Sequence, residues 1–406
     1  MDTLLGDSTF KTSSSAASKC IALIVVGMAS FGLGFVLNTD PAYPMSAWLV
    51  GAFLTVGFAL CAAFHMALAY LTRASWPVVF RRLLEAMAGY LQLGFLVIAV
   101  LLFGLGSLYH EWASPHADGS EHAKLIAGKS VWLNRQGFTI RLAIYFAIWI
   151  FFTRKMIRNS RLQDVDGSIE HNNSSIRTSA VFMPLFALSL TFASYDWYMS
   201  VDPTWFSTMY AVYQFAGIFL GGSAAITLLL IVLRRMGYFQ KSVTVEHFHN
   251  MGLWIFATSM FWGYIWFFQF MLIWYANIPE ETQYFLKRSG DWSILTFGVV
   301  PLLNFGLPFF LSMPQPRKRS ENFLLFISIV VLCGRWLDLW VGVAPTVGVH
   351  GEHEAHGPTL AYALMSLGTT LGFIGLFFYV VFKKLEQAPL YPLKDPYFEE
   401  SLHHHT

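Results

Sequence analysis

EHFHNMGLWIFATSMFWGYIWFFQFMLIWYANIPEETQY, residues Glu246–Tyr284, decides the fold. From Leu253 to Ile278 it carries no charged side chain, a run longer than the ~20 residues that cross a hydrocarbon core. Its apolar and aromatic side chains fall on every face, the pattern of a helix packed among other helices in lipid. Glu246, His247 and His249 stand at one mouth; Trp274, Tyr275, Asn277 and Pro279 stand at the other, with Gln269 alone in the last third.

The rest of the chain agrees. Hydrophobic residues make up 55% of the 406 and charged residues 12%, and the mean hydropathy is +0.52, a balance that excludes a soluble domain of this length. Apolar runs predict ten spans, at about 20–37, 46–70, 84–108, 139–157, 179–196, 206–233, 250–275, 293–313, 322–343 and 358–382. The expected fold is an all-α, polytopic membrane protein. The run after Lys19 lacks a small-residue cleavage site and reads as a retained first helix rather than a signal peptide.

The connections fall into two alternating sets. One (the N-terminal arm, 71–83, 154–178, 234–247, 314–321 and 383–406) holds 19 of the 26 Lys and Arg, and the other holds five. The positive-inside rule therefore places both termini in the cytoplasm and the Glu246 end of the quoted stretch at the cytoplasmic mouth.

The ends YDWYMSVDP and LDLWVGVAP share an Asp (Asp196, Asp338) seven residues before a Pro (Pro203, Pro345). The spacing suggests two parallel four-helix repeats, 46–205 and 206–357. An arm (1–19), a first helix with its outer loop (20–45), a last helix (358–384) and a tail (385–406) flank them.

Ionisable groups inside spans are costly and mark candidate sites. Toward the outer side these are Asp196, Asp338, Arg335 and Arg141, with Arg335 and Asp338 three apart on one helix and able to pair. Asp196 has no basic partner on its own helix and lies near the interface, where water could solvate it. Toward the inner side they are His65, Glu85, Glu246, His247 and His249, of which the His are suited to proton relay. Each has a bland alternative: a core histidine bonded to a carbonyl for His65, solvated helix ends for His247 and His249. Tyr264 and Gln269 are the polar groups between the two sets. The loop HGEHEAHG (His350, His353, His356) is expected to be solvated rather than metal-binding. Cys20, Cys61 and Cys333 form no C-x-x-C or C-x-x-C-H, so no iron–sulfur or covalent haem site is expected on this chain; a haem held by His alone stays open but is not the expectation, because His65 is the only His deep in a span.

WYANIPEET (Trp274–Thr282), preceded by MFWGYIWFFQFMLI, and TFASYDWYMSVDPTWFSTMYAVYQFAG (Thr191–Gly217) carry a resemblance over nearly the whole chain. The chain resembles the polysulfide-reductase-type (NrfD-like) integral membrane subunits of bacterial alternative complex III, and is most similar to the smaller paralogue, the ActF type. The resemblance implies a subunit of a quinol:cytochrome c oxidoreductase in the bacterial cytoplasmic membrane. It implies an anchor with no redox metal of its own that conducts protons or binds quinone. Haem c and iron–sulfur clusters would sit on partners: a paralogous NrfD-like subunit that abuts the iron–sulfur subunit, and multihaem and monohaem cytochromes c. Lipid surrounds such a chain, and nucleic acid is not an expected partner. At Asn250, Leu253 and Phe268 the chain departs from the family pattern of Asp, Lys and Ser, which removes polar groups from a proton path. A secondary transporter and a purely structural scaffold are the competing expectations.

Overall fold

The computed structural model describes residues 9–38, 40–114, 120–347 and 357–405, and every regular element among them is helical. Among the described residues, ten helices are long and apolar enough to cross a membrane: α1 (Ser14–Leu37), α2 (Ala42–Thr72), α3 (Val78–Leu102), α4 (Arg135–Asp166), α5 (Ile169–Val201), α6 (Met209–Arg235), α7 (Val245–Ala276), α8 (Gly290–Ser312), α9 (Glu321–Thr346) and α10 (Leu360–Leu385). The protein is a multi-pass membrane protein. An even number of crossings puts both ends of the chain at one face, termed the terminal face below; the opposite one is the far face.

Helices α2, α3, α4 and α5 neighbour one another in cyclic order, and so do α6, α7, α8 and α9; the two groups meet along α2 and α6. Those two helices are buried over most of their length. Their Ala, Gly and Ser residues let neighbours approach closely, as packing in lipid requires. Helix α10 packs on α2, and α1 packs on α10 through small residues: a Cβ built on Gly27 would lie 2.3 Å from the Gly372 Cα.

Several elements differ from the sequence expectation. The 154–178 connection is not a loop: α4 runs to Asp166 and α5 starts at Ile169, joined at Gly167 (φ +71°) and capped by Ser168. Asn159 bonds Ser174 and Ser175 across the pair, so polar side chains carry the two helices past their apolar spans. Helix α3 starts at Val78 rather than 84 and ends at 102, with a break at Gly89–Tyr90. Helix α8 contains two π-helical stretches, Ile294–Val299 and Leu302–Gly306, on either side of Pro301, which has no N–H to give to the helix ladder.

The corner after α7 follows from residue chemistry. Asn277 ends the helix in the left-handed conformation (φ +49°), which Asn tolerates better than most residues. Ile278 is extended, as the residue before a proline prefers. Pro279 then opens a short helix whose first turn holds Glu280 and Glu281 against its positive end.

Both chain ends fold over the terminal face. Asp395 pairs with Arg81, Ser401 accepts the Val79 N–H at 3.0 Å, and Tyr391 bonds Ser242 at 3.0 Å. The Thr12 N–H donates to Glu386 at 2.8 Å. Thr12 and then Lys383 pull the Glu386 carboxyl from 4.5 down to about 2. A carboxyl whose pKa is lowered by folding adds stability above its ordinary value and loses it as pH falls. Exchange protection of the Thr12 amide, corrected for intrinsic rate, should hold down to pH ~4.5 and fade toward pH 2. Protection already gone at pH 6, or unchanged at pH 2, would show that this carboxylate does not tether the arm.

Candidate functional site

The residues expected on the outer side lie at the far face, in two separate ion pairs. In the first, Asp338 and Arg335 of α9 face α6 one turn apart. The Arg335 Nη1 donates to Asp338 Oδ2 at 2.5 Å, and its Nη2 donates to Gln214 Oε1 at 2.7 Å. The Tyr213 hydroxyl donates to the other Asp338 oxygen. Space for the guanidinium comes from α6: a Cβ on Gly217 would stand 2.2 Å from Arg335 Nη1. Beside this pair is a cavity of about 20 Å³ whose lining includes Asp338, Tyr213, Gln269, Tyr284 and Arg288. That volume holds a water molecule and not a quinone ring.

Arg288 closes the cavity from the loop after α7. It is 2% exposed and donates to the carbonyls of Val341, Tyr284 and Gly342 at 3.1, 2.8 and 2.6 Å, with its guanidinium 3.6 Å from the centre of the Tyr284 ring. Next to it in sequence, Lys287 pairs with Asp202 at 2.7 Å. Burial works to raise the Asp202 carboxyl, but Lys287 and the Thr204 hydroxyl outweigh it and hold the group below its ordinary value.

The second pair joins α4 to α5. Arg141 Nε and Nη2 donate to the two Asp196 oxygens at 2.8 and 2.9 Å. The Trp132 indole adds a bond at 2.8 Å and the Tyr145 hydroxyl one at 2.7 Å. Asp196 is wholly buried, which sets aside the alternative of a water-solvated carboxylate: its cation comes from the neighbouring helix. Four donors satisfy this carboxylate, the arrangement that makes a buried charge tolerable.

On the terminal face, His65 Nδ1 lies 3.0 Å from the Cys61 carbonyl one turn back, and Nε2 has no protein partner. Its ring stacks on Phe219 and meets Trp254 edge-on. Glu85 is buried and paired with Arg82 at 2.5 Å, and its Oε1 is without a protein partner. Arg82 also pairs with Asp164. Glu246 pairs with Arg319 at 3.0 Å. The His247 ring nitrogen Nδ1 accepts the Thr244 N–H at 3.1 Å, so this residue is part of the helix cap. Both His247 and His249 are buried rather than solvated, each with one ring nitrogen unpartnered. Asn250, read as a lost polar relay position, bonds His404 of the tail at 2.8 Å.

No hydrogen bond among the described residues connects His65, Glu85 and His249, so any proton path between them runs through water. Gln269 belongs to the far-face cavity, not to the middle of the bundle. Tyr264 is 55% exposed on the outside of α7, which corrects its expected place as a bridge between the two sides. The described residues contain no group of three or more potential metal ligands, and the His350–His356 loop lies outside them.

Nothing in the sequence marks Tyr213 as a partner of Asp338, Trp132 and Tyr145 as partners of Asp196, Gln214 as the acceptor for Arg335, or Arg288 as a buried donor to carbonyls. Arg81 and Arg82, expected as loop cations, are both buried in ion pairs, Arg81 with Asp395 of the tail and Arg82 with Glu85 and Asp164. The three-residue spacing of Arg82 and Glu85 was the one signal that could have found the latter pair. In comparisons with known proteins, no family model and no curated protein matches this chain.

Proposed function

We propose that this chain is the NrfD-like membrane subunit, most like the smaller paralogue, of a quinol:cytochrome c oxidoreductase of the alternative complex III class. It anchors the complex in the bacterial cytoplasmic membrane with the terminal face in the cytoplasm, and handles protons rather than electrons. Iron–sulfur clusters and haem c are carried by partner subunits. The two helix groups are read as copies of one four-helix unit, with Asp196 and Asp338 at equivalent ends.

The observation that carries the proton reading is the Asp338 carboxylate, held beside a water-sized cavity that Gln269 of the α7 signature also lines. Buried titratable groups at both ends of an apolar bundle are the parts a proton route needs. The small cavity argues for water at this position, with quinone oxidation on the paralogous subunit. Asp196, saturated by four hydrogen bonds, fits the scaffold reading better: it locks α4 to α5.

In the reconstituted complex, Asp338→Asn should leave quinol oxidation running while protons moved per electron fall. Proton transfer through the site should slow on the order of 100-fold, the low end of what a positioned acid–base group supplies. If quinol oxidation and the proton-to-electron ratio both match the unaltered complex, the relay reading fails.

A further inference from the structure

An apolar groove with a cation at its rim lies beside the Arg141–Asp196 pair, with which it shares Trp132. It opens at the far-face end of α5, between the 128–133 turn and the 199–206 segment, with a volume of about 370 Å³. That is within the range of roughly 300–1,000 Å³ typical of small-molecule sites. Its walls are Trp132, Phe192, Tyr195, Met199 and Phe206, with Lys129 at the edge. Phe206 is 58% exposed, so the groove faces outward from the bundle, where acyl chains lie.

Lys129 sets the chemistry of the ligand. It donates to the Pro203 carbonyl at 2.5 Å, and its ammonium sits 5.6 Å from the centre of the Phe206 ring. It makes no ion pair with a carboxylate among the described residues. An ammonium has three donors, so two remain for a ligand. Half-burial pulls this amine below its ordinary value, against the opposing pull of Asp202, the condition of a cation short of solvation.

We propose that this groove binds one anionic phospholipid, with the headgroup phosphate on Lys129 and an acyl chain between Trp132, Phe192, Met199 and Phe206. A phosphate takes several donors from one point charge, which suits a lysine. A neutral quinone ring presents two separated carbonyls and needs donors at both. The other polar side chains of its lining are already engaged: the Tyr195 hydroxyl donates to the Thr208 carbonyl at 3.0 Å, the Ser200 hydroxyl to the Asp196 carbonyl and the Trp132 indole to the Asp196 carboxylate. Because Trp132 is both a wall of the groove and a donor to Asp196, a bound lipid also fixes the indole that holds the α4–α5 ion pair.

The test is native mass spectrometry of the delipidated full-length protein, in its complex or in detergent, titrated with phosphatidylglycerol, phosphatidylcholine and inorganic phosphate. One phosphatidylglycerol should be retained in preference to phosphatidylcholine. Lys129→Gln should cut that retention at least about five-fold, the weight of one lysine at an anionic lipid surface, and Lys129→Arg should keep it. Met199→Trp, which fills the groove and leaves Lys129 in place, should reduce retention of both lipids. Equal retention by Lys129→Gln and the unaltered protein overturns the proposal, and so does displacement of the lipid by inorganic phosphate or by a short-chain quinone. Should Met199→Trp not fold, the Lys129→Gln and Lys129→Arg pair decides alone.

Discussion

Replacing Arg335 with Met should destabilise the protein by about 3–5 kcal/mol, the usual cost of removing one partner from a buried ion pair. The reason is what stays behind. Asp338 is 5% exposed, and without the guanidinium the Tyr213 hydroxyl is the hydrogen bond left to it among those of the described residues. Gln214 loses its donor in the same change. Methionine nearly matches the arginine stem in length, so lost packing contributes less than the stranded charge. The double variant Arg335→Met/Asp338→Leu should therefore recover most of the loss, because replacing both members of a buried pair with apolar groups is often close to neutral. Chemical unfolding in detergent, followed by tryptophan fluorescence, measures both. A single variant as stable as the unaltered protein would mean that Asp338 is neutral or hydrated in the folded state, and the double variant would then gain nothing.

Gly27→Leu should detach α1 from the bundle, at a cost near the upper end of overpacking, about 3 kcal/mol. A side chain at Gly27 meets backbone, not a movable group: its Cβ would lie 2.3 Å from the Gly372 Cα and 2.8 Å from the Gly372 N. Along the same seam, Gly368 faces Ser30 and Gly375 faces Leu23. Lipid gives no hydrophobic drive for one apolar helix to leave it for another, so close packing of small residues is what holds α1. Little else restrains it, since α1 is the least buried of the ten spans. Gly32→Leu is the matched control, for a Cβ there meets nothing within 4 Å and the change should be close to neutral. Limited proteolysis at the α1–α2 connection should separate the two variants. If both are cut alike, the seam does not anchor α1.

The spans were legible because a run of apolar residues long enough to cross a bilayer is a strong one-dimensional signal. Their faces were not. Helix α7 is apolar all round, so nothing in its pattern distinguished Tyr264, which points outward, from Gln269, which lines a cavity. Pairing within one helix could be read from spacing, as with Arg335 and Asp338. Pairing between helices depends on their relative register, so Arg141 could be named as an intramembrane charge but not as the partner of Asp196. Loop cations were the weakest reading. Arg81, Arg82 and Arg288 were weighed only for orientation, and all three are buried: Arg81 against Asp395 of the tail, Arg82 against Glu85 of its own helix and Asp164 of α4, and Arg288 against carbonyls of α9 and of Tyr284. The tail was weighed only for its basic residues, yet its Asp395, Ser401 and His404 bond to residues near the starts of α3 and α7.

The most direct test of the proposed function is the optical spectrum of the protein purified by an affinity tag from its native membrane in mild detergent. The account predicts c-type haem absorbance and an iron–sulfur signal that comigrate with this chain and disappear from the tagged fraction when the complex is dissociated. A chain that purifies alone, free of haem and iron–sulfur absorbance under conditions that preserve other respiratory complexes, would contradict it and favour a transporter.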